Sequence, residues 1–231
     1  VPTLVHDGRP VVESALICEY LDEVFPDPAL SPADPVDRAY MRTWTRRPDD
    51  GLHRACATVT NAIAFRLQWL EKPRAEIEKM LAATPDPARR TWRREMIENG
   101  TESQLFVHAV WAYHTLLDDM ENALQDRDWL AGDTYTLADV SLTSYLNRVA
   151  ELQFQPMWER TRPRVTDWFD RIRKRENFAI AFGNYPYDDY GAGGDTLAPG
   201  RSDPRCGISL VLAAAGESFR LGESPETTNR P

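Results

Sequence analysis

A carboxylate and a hydroxyl stand side by side in the segment VVESALICEY, residues 11–20, as Glu13 and Ser14. They follow two β-branched valines and precede an apolar, helix-prone run, so they mark the point where a strand gives way to a helix. The first turn of a helix carries unpaired backbone N–H groups and a partial positive charge. The pair therefore fits two roles: a helix cap, or a site for a small ligand that carries both an ammonium group and a carboxylate.

A β-hairpin and a helix are predicted to position this pair. The segment PTLVHDGRPVV, residues 2–12, has two short β-branched runs around Asp7-Gly8, a turn pair in which glycine accepts positive φ at little cost. Residues 14–25 have the apolar spacing of a helix. One face of this predicted helix holds Leu16, Ile17, Tyr20, Leu21 and Val24. Four prolines in the next segment, FPDPALSPADP, indicate a linker.

The chain from residue 36 to about residue 190 is predicted to be helical. Apolar residues spaced by three or four mark one long helix with Leu52, Cys56, Val59, Ile63, Leu67 and Leu70 in a single stripe. Pro48 near its start predicts a kink or a break, because proline inside a helix costs about 3 kcal/mol. Further along, Thr136 and Asp139 of the TLAD segment fit a capping box, which we interpret as a folding element.

Composition and charge limit the classes of partner. The 231 residues carry a net charge of −9, whereas nucleic acids and anionic membranes attract cationic surfaces, so neither is predicted as a partner. The apolar run ISLVLAAA is far shorter than the ~20 residues of a membrane helix. Three widely separated cysteines favour a reducing, cytoplasmic setting. The four histidines do not form a ligand set, so no metal site is predicted.

The predicted organisation is mainly α and uneven along the chain. Residues 1–27 form a hairpin and one helix, residues 28–35 a Pro-rich linker, residues 36–190 an all-helical domain, and residues 191–231 a disordered tail. The tail is predicted because GAGGDTLAPGRSDPRCG is rich in Gly, Pro and Asp and has no helical or strand period. A two-stranded hairpin with one helix buries too little surface to stand alone.

Three pieces of this sequence, in order, resemble the cytosolic glutathione transferases. They are VPTLVHDGRPVVESALICEYL at the start, the Pro-rich linker running into an all-α region, and WLAGDTYTLADVSL at residues 129–142. The resemblance covers about residues 1–190 and implies an all-α glutathione-transferase C-terminal domain preceded by a partial thioredoxin-like ββα segment. Within the family, SPADPVDRAYMRTWT and WRREMIENG are most similar to the bacterial β-etherase and related fungal-type branch.

The resemblance implies a glutathione-binding site at Val1, Pro2, Glu13 and Ser14. In the family the proline of the VP pair is cis, which leaves the preceding backbone N–H and C=O free to pair with an extended peptide; Val1-Pro2 matches it. An ordinary proline at the start of a strand is the alternative. Glu13 then accepts hydrogen bonds from the γ-glutamyl ammonium group, and the Ser14 hydroxyl and backbone N–H take the neighbouring carboxylate.

The activity implied by the resemblance is conjugation of glutathione, as co-substrate, to a small hydrophobic electrophile, or cleavage of an ether. A Tyr, Ser or Cys near the end of the first strand activates the thiol in this family. The sequence begins after that point, so the catalytic residue is unknown and expected upstream of Val1, and impaired activity is expected.

Two alternatives to the enzyme stay open: a non-catalytic glutathione-transferase-like module for binding or dimerisation, and a truncated, inactive gene product. A homodimer is implied by the family. His53 or Asp49-Asp50, on the kinked first long helix, is a candidate to face an acceptor-substrate pocket. Cys18 is interpreted as a small buried hydrophobic residue within a helix rather than as a nucleophile.

Overall fold

Residues 2–183 are described by the computed structural model, whereas Val1 and residues 184–231 lie outside the described part of the chain. The tail predicted for residues 191–231 and the last residues of the predicted helical domain therefore lie outside it. The described residues form a two-stranded sheet followed by helices. The predicted mainly α fold with an N-terminal ββα segment is confirmed.

The hairpin forms where the sequence predicts it. β1 (Thr3–His6) and β2 (Arg9–Val12) pair in antiparallel fashion, with Thr3 opposite Val12 and His6 opposite Arg9. Asp7 and Gly8 between them both have positive φ, 49° and 74°. Two consecutive residues of positive φ match the right-handed twist of the strands, which is why Asp-Gly favours this turn.

Helices make up most of the rest of the described chain. Their bounds are α1 (Ser14–Val24), α2 (Pro35–Thr45), α3 (His53–Thr60), α4 (Arg66–Leu70), α5 (Arg74–Ala82), α6 (Pro87–Glu98), α7 (Gln104–Ala123), α8 (Leu137–Glu151), α9 (Pro156–Glu159), α10 (Pro163–Arg173) and α11 (Glu176–Gly183). The boundaries predicted between domains stay predictions. No helix among residues 2–183 is both long enough and apolar enough to cross a membrane.

The long helix predicted from its apolar stripe is broken, as Pro48 suggested. A kinked turn over Pro48–Leu52 contains Gly51 at φ 130°, so the non-helical residue is the glycine and the proline begins the turn. A second wide, π-helical turn at Asn61–Phe65 separates α3 from α4. The stripe does not stay on one buried face, because Leu70 at its end is exposed.

The core of the described chain lies in the helical part. α7 packs against α3 and α10, and α8 packs against α2 and α3. Phe106, Leu117 and Met120 on α7 are fully buried, as are Leu142 and Leu146 on α8. The long helices therefore share one continuous apolar cluster.

The predicted capping box at the start of α8 is confirmed. Thr136 Oγ1 accepts from the Ala138 N–H at 3.3 Å, and the Thr136 N–H donates to the Asp139 carboxylate at 2.9 Å. Asp139, fully buried, also accepts from the Leu130 N–H at 3.0 Å and from the Trp168 indole N–H at 2.7 Å. One carboxylate thus joins the start of α8 to the preceding loop and to α10.

The apolar residues that share the predicted face of α1 do not form a buried face. Leu16 is 58% exposed, and Leu21 and Val24 are also exposed, whereas Asp22 is buried and Cys18 packs against the helical core. The hairpin is too small to cover the outer side of the helix. Contact with the helical part, and not apolar periodicity, therefore determines which side of α1 is buried.

Candidate functional site

Glu13 has an unusual backbone conformation at the junction between β2 and α1. It is the N-cap residue of α1, with φ 69° and ψ 122°. Positive φ is uncommon for a residue other than glycine. A residue held in such a sparsely populated region costs of order 1–3 kcal/mol, and such residues cluster at ligand-binding sites. The sequence carries no signal for this conformation, because Glu has no local preference for it.

The side chains of Glu13 and Ser14 do not act as helix caps. The Glu13 carboxylate accepts no capping hydrogen bond, and Ser14 is the first helical residue and not the cap. Both side chains are exposed, and neither makes a hydrogen bond or ion pair with another residue of the described chain. Of the two roles that the sequence allows, the capping role is therefore not the one seen in the structure.

The first turn of α1 offers free backbone donors beside this carboxylate. The Ile17 N–H donates to the Glu13 carbonyl at 2.8 Å and closes the first turn. The N–H groups that precede Ile17 in the turn have no intrahelical acceptor, and the helix dipole makes this end positive. The arrangement can bind a carboxylate at the helix end and an ammonium group at Glu13.

Pro2 lies at the same end of the hairpin as this pair. Thr3 is opposite Val12 in the antiparallel register, so Pro2 and Glu13 each lie one residue beyond the last pair. Pro2 is exposed. Val1 lies outside the described residues, and with it the Val1–Pro2 bond that the resemblance predicts to be cis. The structure thus brings Pro2, Glu13 and Ser14 to one edge of the ββα segment.

A second polar cluster lies in the helical part, around His53, a residue that the sequence predicts to face an acceptor-substrate pocket. His53 Nδ1 at the start of α3 is 3.3 Å from the Tyr145 hydroxyl on α8. Burial raises the pKa of Tyr145 to about 12, and the nearby Cys56 and Asp49 act in the same direction. Tyr145 is therefore protonated at neutral pH and available as a hydrogen-bond donor.

Cys56 and Tyr113, which lie close to Tyr145, are also neutral at physiological pH. Burial raises the pKa of the Cys56 thiol, and it raises the pKa of Tyr113 well above the ordinary value. Sequence reasoning proposed His53 and Asp49 but missed both tyrosines. Tyr113 and Tyr145 stand at helical spacing among core residues of α7 and α8, so by sequence they look like ordinary packing residues.

The remaining sequence candidates separate in the structure. Asp50 pairs with Arg46 at 3.6 Å across one helical turn, so of the two aspartates Asp49 is the one that acts on Tyr145. Burial raises the pKa of the Cys18 thiol, which disfavours the nucleophilic thiolate. No group of three or more His, Cys, Asp or Glu side chains within residues 2–183 is arranged to hold a metal ion.

A surface cavity of about 530 Å³ lies between α4, α5 and α6 and was not foreseen from the sequence. Its floor includes Leu81 and Ile97, and its rim includes Arg94, Glu78 and Glu98. Arg94 binds both carboxylates, at 2.8 Å and 3.3 Å. Lys72 and Arg74 also line the cavity, and Lys72 pairs with Glu76 at 2.6 Å.

Comparisons with known proteins agree on one family. Residues 1–29 match the family model described as the glutathione S-transferase N-terminal domain, and residues 95–176 match the model of the C-terminal domain. Protein LigF of Sphingobium sp. (strain NBRC 103272 / SYK-6) is 31% identical over 182 residues, which are 76% of this chain and 70% of LigF. A probable glutathione S-transferase of Nicotiana tabacum is 30% identical over 141 residues, covering 61% of this chain but 45% of that protein.

The similarity to LigF extends to its structure. The crystal structure of beta-etherase LigF from Sphingobium sp. strain SYK-6 superposes with a TM-score of 0.68 at 29% identity, covering 80% of this chain and 78% of that one. The similarity in sequence and in structure therefore leads to the same relative, and the branch suggested by SPADPVDRAYMRTWT is supported.

Proposed function

Because the chain belongs to the glutathione S-transferase family, we propose that it binds glutathione at the edge formed by Pro2, Glu13 and Ser14. Glutathione is the co-substrate of this family, and its thiol is conjugated to a small hydrophobic electrophile. The similarity to LigF, which is described as a beta-etherase, favours an ether as the electrophile. A cytoplasmic location and a homodimer belong to the same proposal.

The conformation of Glu13 is the observation that carries this proposal. The chain keeps a non-glycine residue at φ 69° with an exposed carboxylate that has no partner among the described residues. A fold gains nothing from this strain by itself, so the strain is explained if it aims the carboxylate at a ligand. The ammonium group of the γ-glutamyl end is a ligand that a carboxylate binds by charge-assisted hydrogen bonds.

The other contacts follow from the position of Glu13. The α-carboxylate of the γ-glutamyl end meets the Ser14 hydroxyl and the free N–H groups of the first turn of α1. The backbone beside Pro2, at the same edge, is available to the cysteinyl part of the tripeptide. The residue that activates the thiol is assigned to none of the described residues, and its position upstream of Val1 stays a prediction.

The acceptor side of the proposal involves the cluster on α3 and α8. In ether cleavage the glutathione thiolate attacks the carbon that bears the ether oxygen, a C–S bond forms, and the C–O bond breaks. The electron pair leaves with the oxygen, which then takes up a proton. Tyr145, protonated at neutral pH and 3.3 Å from His53 Nδ1, is our candidate to donate a hydrogen bond to an acceptor oxygen.

Calorimetry with glutathione and with cysteinylglycine tests the γ-glutamyl contacts. Glutathione should bind, and cysteinylglycine, which lacks the γ-glutamyl group, should not bind measurably. Glu13→Ala should weaken glutathione binding by roughly 1.5–3 kcal/mol, the range of a hydrogen bond to a charged group. Glu23→Ala, at an exposed position on the same helix, is the matched control and should leave affinity unchanged. Equal affinity of the Glu13→Ala variant would remove Glu13 from the site.

Glu13→Gly separates the ligand role from a structural role. Glycine tolerates positive φ. The free energy of unfolding of this variant should therefore equal that of the unsubstituted chain or exceed it by about 1 kcal/mol. It should nevertheless lose glutathione affinity, because the carboxylate is gone. A variant that loses stability and keeps affinity would contradict the proposal.

A binding module without turnover is the second candidate, and the surface of the ββα segment favours it. Val5, Leu16 and Phe25 are 63%, 58% and 61% exposed, and exposed apolar side chains on one segment are typical of a surface that meets another protein. The 231-residue chain, assayed alone, should bind glutathione with little turnover of a chlorinated aromatic acceptor. Turnover like that of active family members would exclude this second candidate.

A further inference from the structure

One peptide group of the segment between α1 and α2 is held from two sides. The Leu30 N–H donates to Asp22 Oδ1 at 2.6 Å, and the Leu30 carbonyl accepts from the Leu137 N–H at 3.0 Å. Asp22 lies near the end of α1, and Leu137 is the first residue of α8. We refer to these two hydrogen bonds as the Leu30 bridge. It joins the ββα segment to the helical part through a single residue.

Asp22 is the buried end of this bridge. It is 9% exposed and is the buried residue of α1. A carboxylate taken out of water must be hydrogen-bonded, because an unsatisfied buried charge is costly. The short distance to the Leu30 N–H is typical of a charge-assisted hydrogen bond. The bridge is therefore the expected place for α1 to be held firmly.

Leu137 gives the bridge a rigid attachment on its other side. Its N–H is one of the first-turn donors of α8 that lack an intrahelical acceptor, so the Leu30 carbonyl satisfies it. The same turn is fixed by Asp139, which accepts from the Leu130 N–H and from the Trp168 indole. A movement at Leu30 therefore breaks its hydrogen bond to the first turn of α8, a turn that the Asp139 contacts hold in place.

A second polar link between α1 and the helical part, the pair of Glu19 and Arg42, is more exposed. Arg42 on α2 binds Glu19 through two hydrogen bonds, at 3.1 Å and 2.8 Å, but the Arg42 side chain is 49% exposed. Ion pairs open to solvent contribute little. The orientation of α1 thus depends more on Asp22 than on Glu19.

We propose that Asp22 is a positioning residue for the glutathione site, an inference that rests on the function proposed above. Ser14 begins α1 and Asp22 lies eight residues later, about 12 Å along the helix axis. A tilt of about 5° around the bridge moves the start of the helix by about 1 Å. Displacements of this size matter at a site built from directional hydrogen bonds. Asp22 acts through α1 and has no contact with the ligand.

Calorimetric titration with glutathione, at a temperature well below thermal unfolding, tests the role of Asp22. Asp22→Ala should weaken binding about tenfold or more. Asp22→Asn, which keeps an oxygen that accepts from the Leu30 N–H, should restore most of the affinity. Glu19→Gln, on the same helix, is the control and should bind like the unsubstituted chain. Circular dichroism checks that each variant is folded, and Asp22→Asn keeps the test decisive if Asp22→Ala does not fold.

A distance measurement separates failure of this inference from failure of the proposed function. Nitroxide labels on Leu16→Cys and Ser144→Cys, both at exposed positions, report the orientation of α1 relative to α8 once the three native cysteines are replaced by alanine. Asp22→Ala should broaden or shift the distance distribution, and Glu19→Gln should leave it unchanged. An unchanged distribution in Asp22→Ala overturns the positioning role. Absence of glutathione binding in the unsubstituted chain overturns the proposed function alone.

Discussion

The ββα segment and the helical part of this protein are stabilised in different ways. The helical part closes around α7 and α8, whose apolar side chains are fully buried. The ββα segment leaves the outer face of α1 exposed and is attached by the Leu30 bridge, the Glu19–Arg42 pair and the packing of Cys18 against the helical core. Stability therefore resides in the helical part, and the predicted binding residues lie in the segment that contributes least to it.

The largest expected effect comes from truncating a buried leucine in one region and an exposed leucine in the other. Leu117→Ala on α7, fully buried, should cost about 2–5 kcal/mol of unfolding free energy, because it leaves a cavity. Leu16→Ala on α1 should change it by less than about 0.5 kcal/mol. Urea denaturation followed by circular dichroism measures both. Equal losses would mean that the outer face of α1 is packed in solution.

The next effect is a pH dependence confined to the helical part. Burial, with the neighbouring Arg162 guanidinium, lowers the pKa of His114 to about 4, against the opposing influence of Asp118. The unfolded chain takes up this proton near pH 6.5. Protonation thus favours unfolding, and stability should fall as the pH falls from about 6.5 to about 4.

The size of this dependence is reduced because His114 is only partly buried. We expect roughly 1–3 kcal/mol over that range. His114→Asn keeps an acceptor for Arg162 and should flatten the profile, whereas His108→Gln, at an exposed position on the same helix, should not. Denaturation midpoints at several pH values measure the difference between the variants. Parallel profiles for the His114 variant and the unsubstituted chain would contradict the prediction.

Two glycines of positive φ allow a closer comparison of the regions. A Cβ on Gly100, at φ 55°, would lie 2.5 Å from Arg66 Cδ. Arg66 donates to the Ile97 and Glu98 carbonyls at the end of α6, so Gly100→Ala should cost about 2–3 kcal/mol. Gly8 in the hairpin has φ 74° and no atom near its Cβ position, so Gly8→Ala should cost about 1 kcal/mol.

Thermal unfolding of the two alanine variants measures these costs. The double variant Arg66→Ala/Gly100→Ala should lose less than the sum of the single losses, because the clash disappears with the arginine. Additive losses would assign the cost of Gly100→Ala to backbone strain alone.

The smallest expected effect concerns the surface link between the regions. Arg42→Ala removes the hydrogen bonds to Glu19 and should cost at most about 1 kcal/mol, because the pair is partly exposed. The loss should shrink further as salt is added. A larger loss that salt does not change would indicate that this pair, and not the Leu30 bridge, holds α1.

Local patterns in the sequence predicted the local features of the fold. The Asp7-Gly8 turn, the break near Pro48 and the capping box of Thr136 and Asp139 each depend on neighbours along the chain, and the structure contains all three. Glu13 and Ser14 became a candidate site through their position after a predicted hairpin and through the family resemblance. Their role in binding stays a prediction.

Features that depend on distant residues could not be predicted in this way. The strained φ of Glu13, the buried contact of Asp22 with Leu30, and the pairing of His53 with Tyr145 arise from packing between elements. Apolar periodicity also misassigned the exposed face of α1, because Leu16 has the same spacing whether or not another element covers it. Periodicity indicates which residues share a face, but contact between elements decides whether that face is buried.

The wide turn at Asn61–Phe65 affects how the long helix tolerates changes in length. A π-helical turn holds one residue more than an α-helical turn and absorbs it locally. Deleting a single residue there closes the turn to an ordinary one, and the side chains of α3 and α4 on either side keep their present directions. The same deletion inside α7 would rotate everything beyond it by about 100°. A deletion within Asn61–Phe65 should therefore preserve the directions of α3 and α4, although Ala62, Ile63 and Ala64 in the turn are buried and would have to repack.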